Sequence, residues 1–185
     1  MTMDLAYAQL HSMAACGEPA RLTPEQAVAE LFIAAREDVY RYLLTLGLAA
    51  PQAQEAAQEV FLRLYAAMRK GQRIENPRAW IFRVAHNHGL TLRGQEHATR
   101  PFDPELDTRL PDSAASVEQR LIERERRTRL GHAVADLSPQ QRQCLHLRTE
   151  GFRYREIAAI LGISDSSVGE FLRRAIMRLR KALDG

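Results

Sequence analysis

The chain has 185 residues, 45% of them hydrophobic and 26% charged, with a formal net charge of +3 at pH 7. That length suits one or two domains and the composition is ordinary for a soluble globular protein. No apolar run approaches the roughly 20 residues that a membrane span needs, and no basic stretch leads into an apolar core at the N-terminus, so membrane insertion is not expected and a cytoplasmic location is.

The charge is unevenly placed. Residues 1–112 carry 12 Lys/Arg against 14 Asp/Glu, whereas residues 113–185 carry 14 against 9. A basic C-terminal part beside a mildly acidic N-terminal part fits nucleic acid on one side and a protein partner on the other. The two cysteines, Cys16 and Cys144, belong to no CxxC or Cys/His pattern, which supports neither a zinc site nor a disulfide. His86 and His88 are two apart and fall on different sides of a helix, a poor ligand pair. With no Gly-rich phosphate loop, activated nucleophile or carboxylate pair in a cleft pattern, no enzyme, metal or cofactor is expected.

Residues 1–23 carry little pattern and read as an extension. Thr23-Pro24-Glu25-Gln26 is a capping box with Pro at the first helical position, and it opens a helix. Its apolar stripe is Val28, Leu31, Phe32, Ala35, Val39, Tyr42, Leu43 and Leu46, ending near Gly47. Pro51 starts a second helix to about Met68, with Ala57, Val60, Phe61, Leu64 and Met68 inward. Asn76-Pro77 starts a third, which reaches roughly Arg93. From 95 to 114 periodicity vanishes and three prolines appear, the signature of a linker. Ser116 to Gln119 and Ser138 to Gln141 are two further capping boxes. The expected fold is all-α: two small helical domains, 24–94 and 115–185, joined by a flexible linker.

The last third is the most informative locally. Ile157, Ala158 and Leu161 share one face of a short helix. Gly162 follows where a left-handed residue ends a helix, and Ser164 is an N-cap for the next helix. There Val168, Leu172, Ala175, Leu179 and Leu183 turn inward. This is the layout of a helix-turn-helix, whose second helix enters the DNA major groove. A generic αα-hairpin carries the same turn.

Two separated stretches give the chain a family. The run QEVFLRLY followed by NPRAWIFRVAHN resembles the region 2 domain of extracytoplasmic-function (ECF) sigma factors. LSPQQRQ, YREIAAILGIS and LRRAIMRLRKAL resemble their region 4 domain, in the expected order. The resemblance implies a factor that binds core RNA polymerase and directs it to promoter DNA, and it leaves room for an anti-sigma factor as a further partner. It places polymerase docking on Glu55, Gln58, Glu59 and Leu62, a polar face with one exposed Leu. It places melting and reading of the −10 element on Arg78, Trp80, Arg83 and Asn87, with Phe82 nearby; an aromatic beside Arg and Asn can stack on an unpaired base. After Asn87 the family's paired basic residues are replaced by Gly89, Thr91, Leu92, Arg93 and Gly94. The −35 element falls to Ser166, Ser167, Glu170, Arg173, Arg174 and Arg178, with Glu170 read as an acceptor for a cytosine amino group. The runner-up is a LuxR-type helix-turn-helix regulator, which the C-terminal stretch resembles nearly as well.

Overall fold

A computed structural model of the chain describes residues 22–95 and 117–184, and among them it has seven helices and no strand. The helices are α1 (Pro24–Thr45), α2 (Ala50–Arg69), α3 (Pro77–Gln95), α4 (Val117–Ala135), α5 (Pro139–Thr149), α6 (Tyr154–Leu161) and α7 (Asp165–Asp184). The extension up to residue 21, residues 96–114 of the expected linker and the box at Ser116 lie outside the described residues.

Local chemistry sets the helix starts. The Thr23 hydroxyl accepts from the Gln26 backbone N–H at 3.3 Å, and the Gln26 side chain accepts from the Thr23 N–H at 3.0 Å. Ser138 and Gln141 repeat the pair at 3.3 and 3.0 Å. Asn76 caps α3 by accepting from the Ala79 N–H at 3.0 Å. Such a cap typically contributes about 1 kcal/mol. Between α6 and α7 Gly162 sits at φ 67°, ψ 34°, the left-handed geometry that a side chain disfavours.

The helices α1, α2 and α3 bury Ala35, Val39, Tyr42, Leu43, Leu46, Val60, Phe61, Leu64, Ile81, Phe82 and Ala85. Phe32 meets Phe61 edge-on at 5.1 Å. Gly89 lets α3 approach α1 closely: a Cβ there would stand 2.6 Å from Leu46 Cδ1 and 3.0 Å from Leu43 Cδ2. This departure from the family's sequence therefore has a packing cause. In the C-terminal part Leu137, Cys144, Leu147, Phe152, Ile157, Ile160, Val168, Leu172 and Ala175 are buried.

The two parts were expected to be tethered, and they are also packed together: α3 against α6 and α1 against α5, within one continuous core. Phe82, expected beside the DNA-reading residues, is instead fully buried and meets Phe152 edge-on at 5.0 Å. Tyr42 faces His146 at 5.5 Å and bonds His86 Nδ1 through its hydroxyl at 2.9 Å. Arg78 lies between the parts. One of its amino groups donates to the Glu150 carbonyl at 2.7 Å, and the other donates to the Glu150 carboxylate at 2.9 Å and stands 3.6 Å from Asp38. Its guanidinium stacks 4.7 Å from the Phe152 ring centre. Arg41 pairs with Asp38 at 2.7 Å, so two cations and two carboxylates share the seam. His146 Nε2 is buried there with no hydrogen-bond partner among the described residues.

Gly89→Ala should lower the thermal midpoint, because Leu46 and Leu43 must move; a cost of about 1–3 kcal/mol is the usual range for overpacking. An unchanged midpoint would mean that α1 and α3 separate freely. A second prediction concerns pH. Burial, and next the Arg41 charge, push His146 down to about 4, so the folded protein keeps it neutral where an unfolded chain would take up a proton. The groups facing it are Asp38, Arg41 and Tyr42 on α1 and Glu150 on its own helix. With the folded pKa below the ordinary 6.5, this contribution is intact above pH 6.5 and is lost as pH falls toward 4. Glu150, raised by burial and then by Asp38, works in the opposite direction. Thermal melts of His146→Gln should therefore lose less midpoint than wild type between pH 7 and pH 5; parallel losses would remove His146 as the cause.

Candidate nucleic-acid interface

Three surfaces carry the residues singled out in the sequence. On α2, Glu55, Gln58 and Leu62 are exposed on one side, and Glu59, beside them, pairs with Arg63 at 2.8 Å. Leu62 is 62% exposed although large and apolar. On the neighbouring helix α1 sequence reasoning missed two features. One is Ile33, 81% exposed. The other is an open cavity of about 210 Å³ lined by Phe32, Arg36, Glu37, Tyr40, Gln54 and Gln58. The available signal was Ile33 itself, an apolar residue off the stripe that packs α1.

On α3, Arg83 and Asn87 are exposed one turn apart. The Thr91 hydroxyl donates to the Asn87 carbonyl at 2.9 Å and leaves the Asn87 side chain to solvent. Trp80 is half-buried and packs against the core. Arg78 is turned into the seam described above and does not join them. Asn76, at the start of the same helix, donates to Glu156 of α6 at 2.9 Å.

On α7 the inward residues Val168, Leu172 and Ala175 leave Ser166, Glu170, Arg173, Arg174 and Met177 together on the opposite face, at spacings of three and four. Ser164 caps the helix by accepting from the Ser167 N–H at 3.2 Å, and its hydroxyl also meets those of Ser166 and Ser167 at 2.9 and 2.8 Å. Glu170 is bonded to both Arg173 and Arg174. Arg178 stands to one side and donates to the Asp136 carbonyl at 3.0 Å, which ties α7 to the end of α4. The ring of Tyr154, at the start of α6, comes within 3.8 Å of where a Cβ on Gly169 would be. Arg155 is almost fully exposed and lies 3.8 Å from Asp165. Neither residue was singled out from sequence, because the periodic pattern of a helix marks its buried face and is silent about its free first turn.

Among the described residues no cluster of His, Cys, Asp or Glu could hold a metal ion, and no helix is long and apolar enough to cross a membrane.

Comparison with known proteins adds a family. Sigma-70 region 2 matches residues 31–96 and sigma-70 region 4 matches residues 127–179. The first match leaves the regulator alternative without support. The chain is 30% identical to the ECF RNA polymerase sigma factor RpoE of Cereibacter sphaeroides over 166 residues, 85% of this chain and 86% of that protein. It is 29% identical over 154 residues to the ECF RNA polymerase sigma factor SigL of Mycobacterium tuberculosis, covering 78% and 82%. Two solved structures share the fold. One is the sigma factor RpoE in complex with the anti-sigma factor NepR from Bartonella quintana, with a TM-score of 0.62, 19% identity and 85% and 97% of the two chains covered. The other is CnrH in complex with the cytosolic domain of CnrY, with a TM-score of 0.57, 20% identity and 86% and 89% covered. The chain belongs to the ECF sigma factors of the sigma-70 family.

Proposed function

We propose that the chain binds core RNA polymerase through the α2 face, opens and reads the −10 element with Trp80, Arg83 and Asn87 of α3, and reads the −35 element with the outward face of α7. The observation that carries this division of labour is that the exposed Arg83 and Asn87 of α3 and the arginine-bearing outward face of α7 lie on one chain with an exposed face on α2. Glu55 and Gln58 offer polar contacts around the apolar Leu62, and the cavity between α1 and α2, lined in part by Gln58, adjoins that surface. On α3, Trp80 can stack on an unpaired base while Asn87 bonds its edge, which offsets part of the cost of unstacking the duplex.

The distance between the elements constrains the mechanism. By their names the −10 and −35 elements are about 25 base pairs apart, or ~85 Å at about 3.4 Å per pair. A compact chain of this length is only ~40 Å across. The packed form therefore cannot hold both elements, and the α3–α6 seam must part before the promoter is gripped. Arg78 is then released from Glu150 and Asp38 and becomes available to DNA phosphates on α3. An anti-sigma factor that grips both parts would hold them in the packed form.

Run-off transcription with core polymerase on a promoter library should give promoter-specific transcripts that core alone does not make. Duplex binding without any such transcript would sink the proposal. Asn87→Ala should lower initiation from duplex promoters about tenfold, in line with the loss of a hydrogen bond of about 1–3 kcal/mol. It should have the same effect on a template already open at the −10 element if Asn87 holds the extruded base. Full activity on the open template would assign Asn87 to melting alone.

A further inference from the structure

Glu170 holds the centre of the outward face of α7, and its carboxylate is already occupied. Arg173 donates to it through Nε at 2.9 Å and through an amino group at 2.8 Å, and Arg174 donates through Nε at 2.6 Å. A carboxylate offers about four lone-pair sites, so three are taken and little acceptor capacity is left for a base. The Arg173 bonds first, and the Arg174 bond second, hold the carboxyl down at about 2, so it is a permanent anion at any working pH. The two arginines are left in different states. Arg173 has spent one edge on Glu170, and its other amino group meets Met177 Sδ at 3.3 Å. Arg174 is held by Nε alone, and among the described residues its two amino groups carry no hydrogen bond.

A guanidinium fixed at Nε keeps its end-on edge, Nη1 and Nη2, as a planar fork. That edge matches the two acceptors, O6 and N7, that guanine shows in the major groove. We propose that Glu170 is the positioning residue of this recognition helix: it holds Arg174 by Nε so that the Nη1/Nη2 edge reads a guanine in the −35 element, with Arg173 as the counterweight that fixes Glu170. This rests on the sigma-factor reading for the identity of the DNA element, and it replaces Glu170 as a reader of cytosine. The triad carries one net positive charge, so its contribution is to base choice more than to overall attraction.

The test uses the full chain with core polymerase, on promoters randomised across the −35 element, comparing wild type with Glu170→Ala, Glu170→Gln and Arg174→Ala. All the substituted side chains lie on the outward face of α7, away from the core, and thermal melts check that each variant is folded. Glu170→Ala and Arg174→Ala should lose preference for guanine at the same base pair, by about tenfold or more, with Glu170→Gln in between. Binding of Glu170→Ala to non-specific duplex should hold or tighten, and its log–log salt slope should steepen by about one, because an uncompensated arginine reaches a phosphate. The proposal is overturned if Glu170→Ala leaves the preferred sequence unchanged. It is equally overturned if Glu170→Ala alters a cytosine position that Arg174→Ala does not touch, or if wild type shows no −35 preference. Wild-type run-off separates the two levels: absence of promoter-directed transcript with a shared guanine preference in duplex binding would remove the sigma-factor reading and keep the triad, whereas transcripts with unaltered preferences would remove the triad alone.

Discussion

Arg78 is held from two sides: the Glu150 carboxylate and carbonyl from the C-terminal part, and Asp38 from α1, with Phe152 stacked on its flat face. An arginine in that position costs solvation unless its donors are satisfied. Here the two closest bonds come from Glu150, 72 positions away in sequence, and Asp38 adds its charge from α1, so the cation favours the packed form only while both parts contribute. Around it Phe82 and Phe152 supply the apolar contact, and His146 stays neutral against Tyr42. The arrangement of α1–α3 relative to α5 and α6 depends on this seam, and with it the distance between the outward faces of α3 and α7.

The docking face on α2 and the outward face of α7 differ in how they are built. The first is an exposed Leu in a polar frame next to an open cavity, which a protein partner can cover. The second is a set of arginines disciplined by one carboxylate. Within the same molecule, apolar exposure thus marks one surface and restrained positive charge the other. Arg178 shows the limit of counting cations, since it is tied to the Asp136 carbonyl and supports the junction of α4 and α7.

Much of the fold was legible in the sequence because helix ends are written in local chemistry. Thr23 with Gln26, Ser138 with Gln141, Asn76 before Pro77 and Gly162 before Ser164 each act over three or four residues. The seam was not legible. Phe82 read as an aromatic near the DNA-reading residues, while Phe152, His146 and Glu150 drew no notice, because a contact between distant segments leaves no periodic mark in either. Gly89 looked like a missing cation until its distance to Leu46 showed that α3 has no room there for a side chain. Glu170 was read as an acceptor for a base, but its partners one turn on decide what it does, and a residue pattern does not say which rotamers they adopt.

The charge balance of the seam has a consequence for how the molecule responds to ions. Arg41 and Arg78 against Asp38 and Glu150 cancel locally and are partly shielded from water, so added salt screens little there. Arg173, Arg174 and Glu170 of α7 stand in open solvent, where salt screens charge far more strongly. Ionic strength thus acts on the exposed face of α7 more than on the seam. Rising salt leaves the packing of α1 against α5 and of α3 against α6 nearly as it was, while it weakens whatever the α7 face attracts by charge.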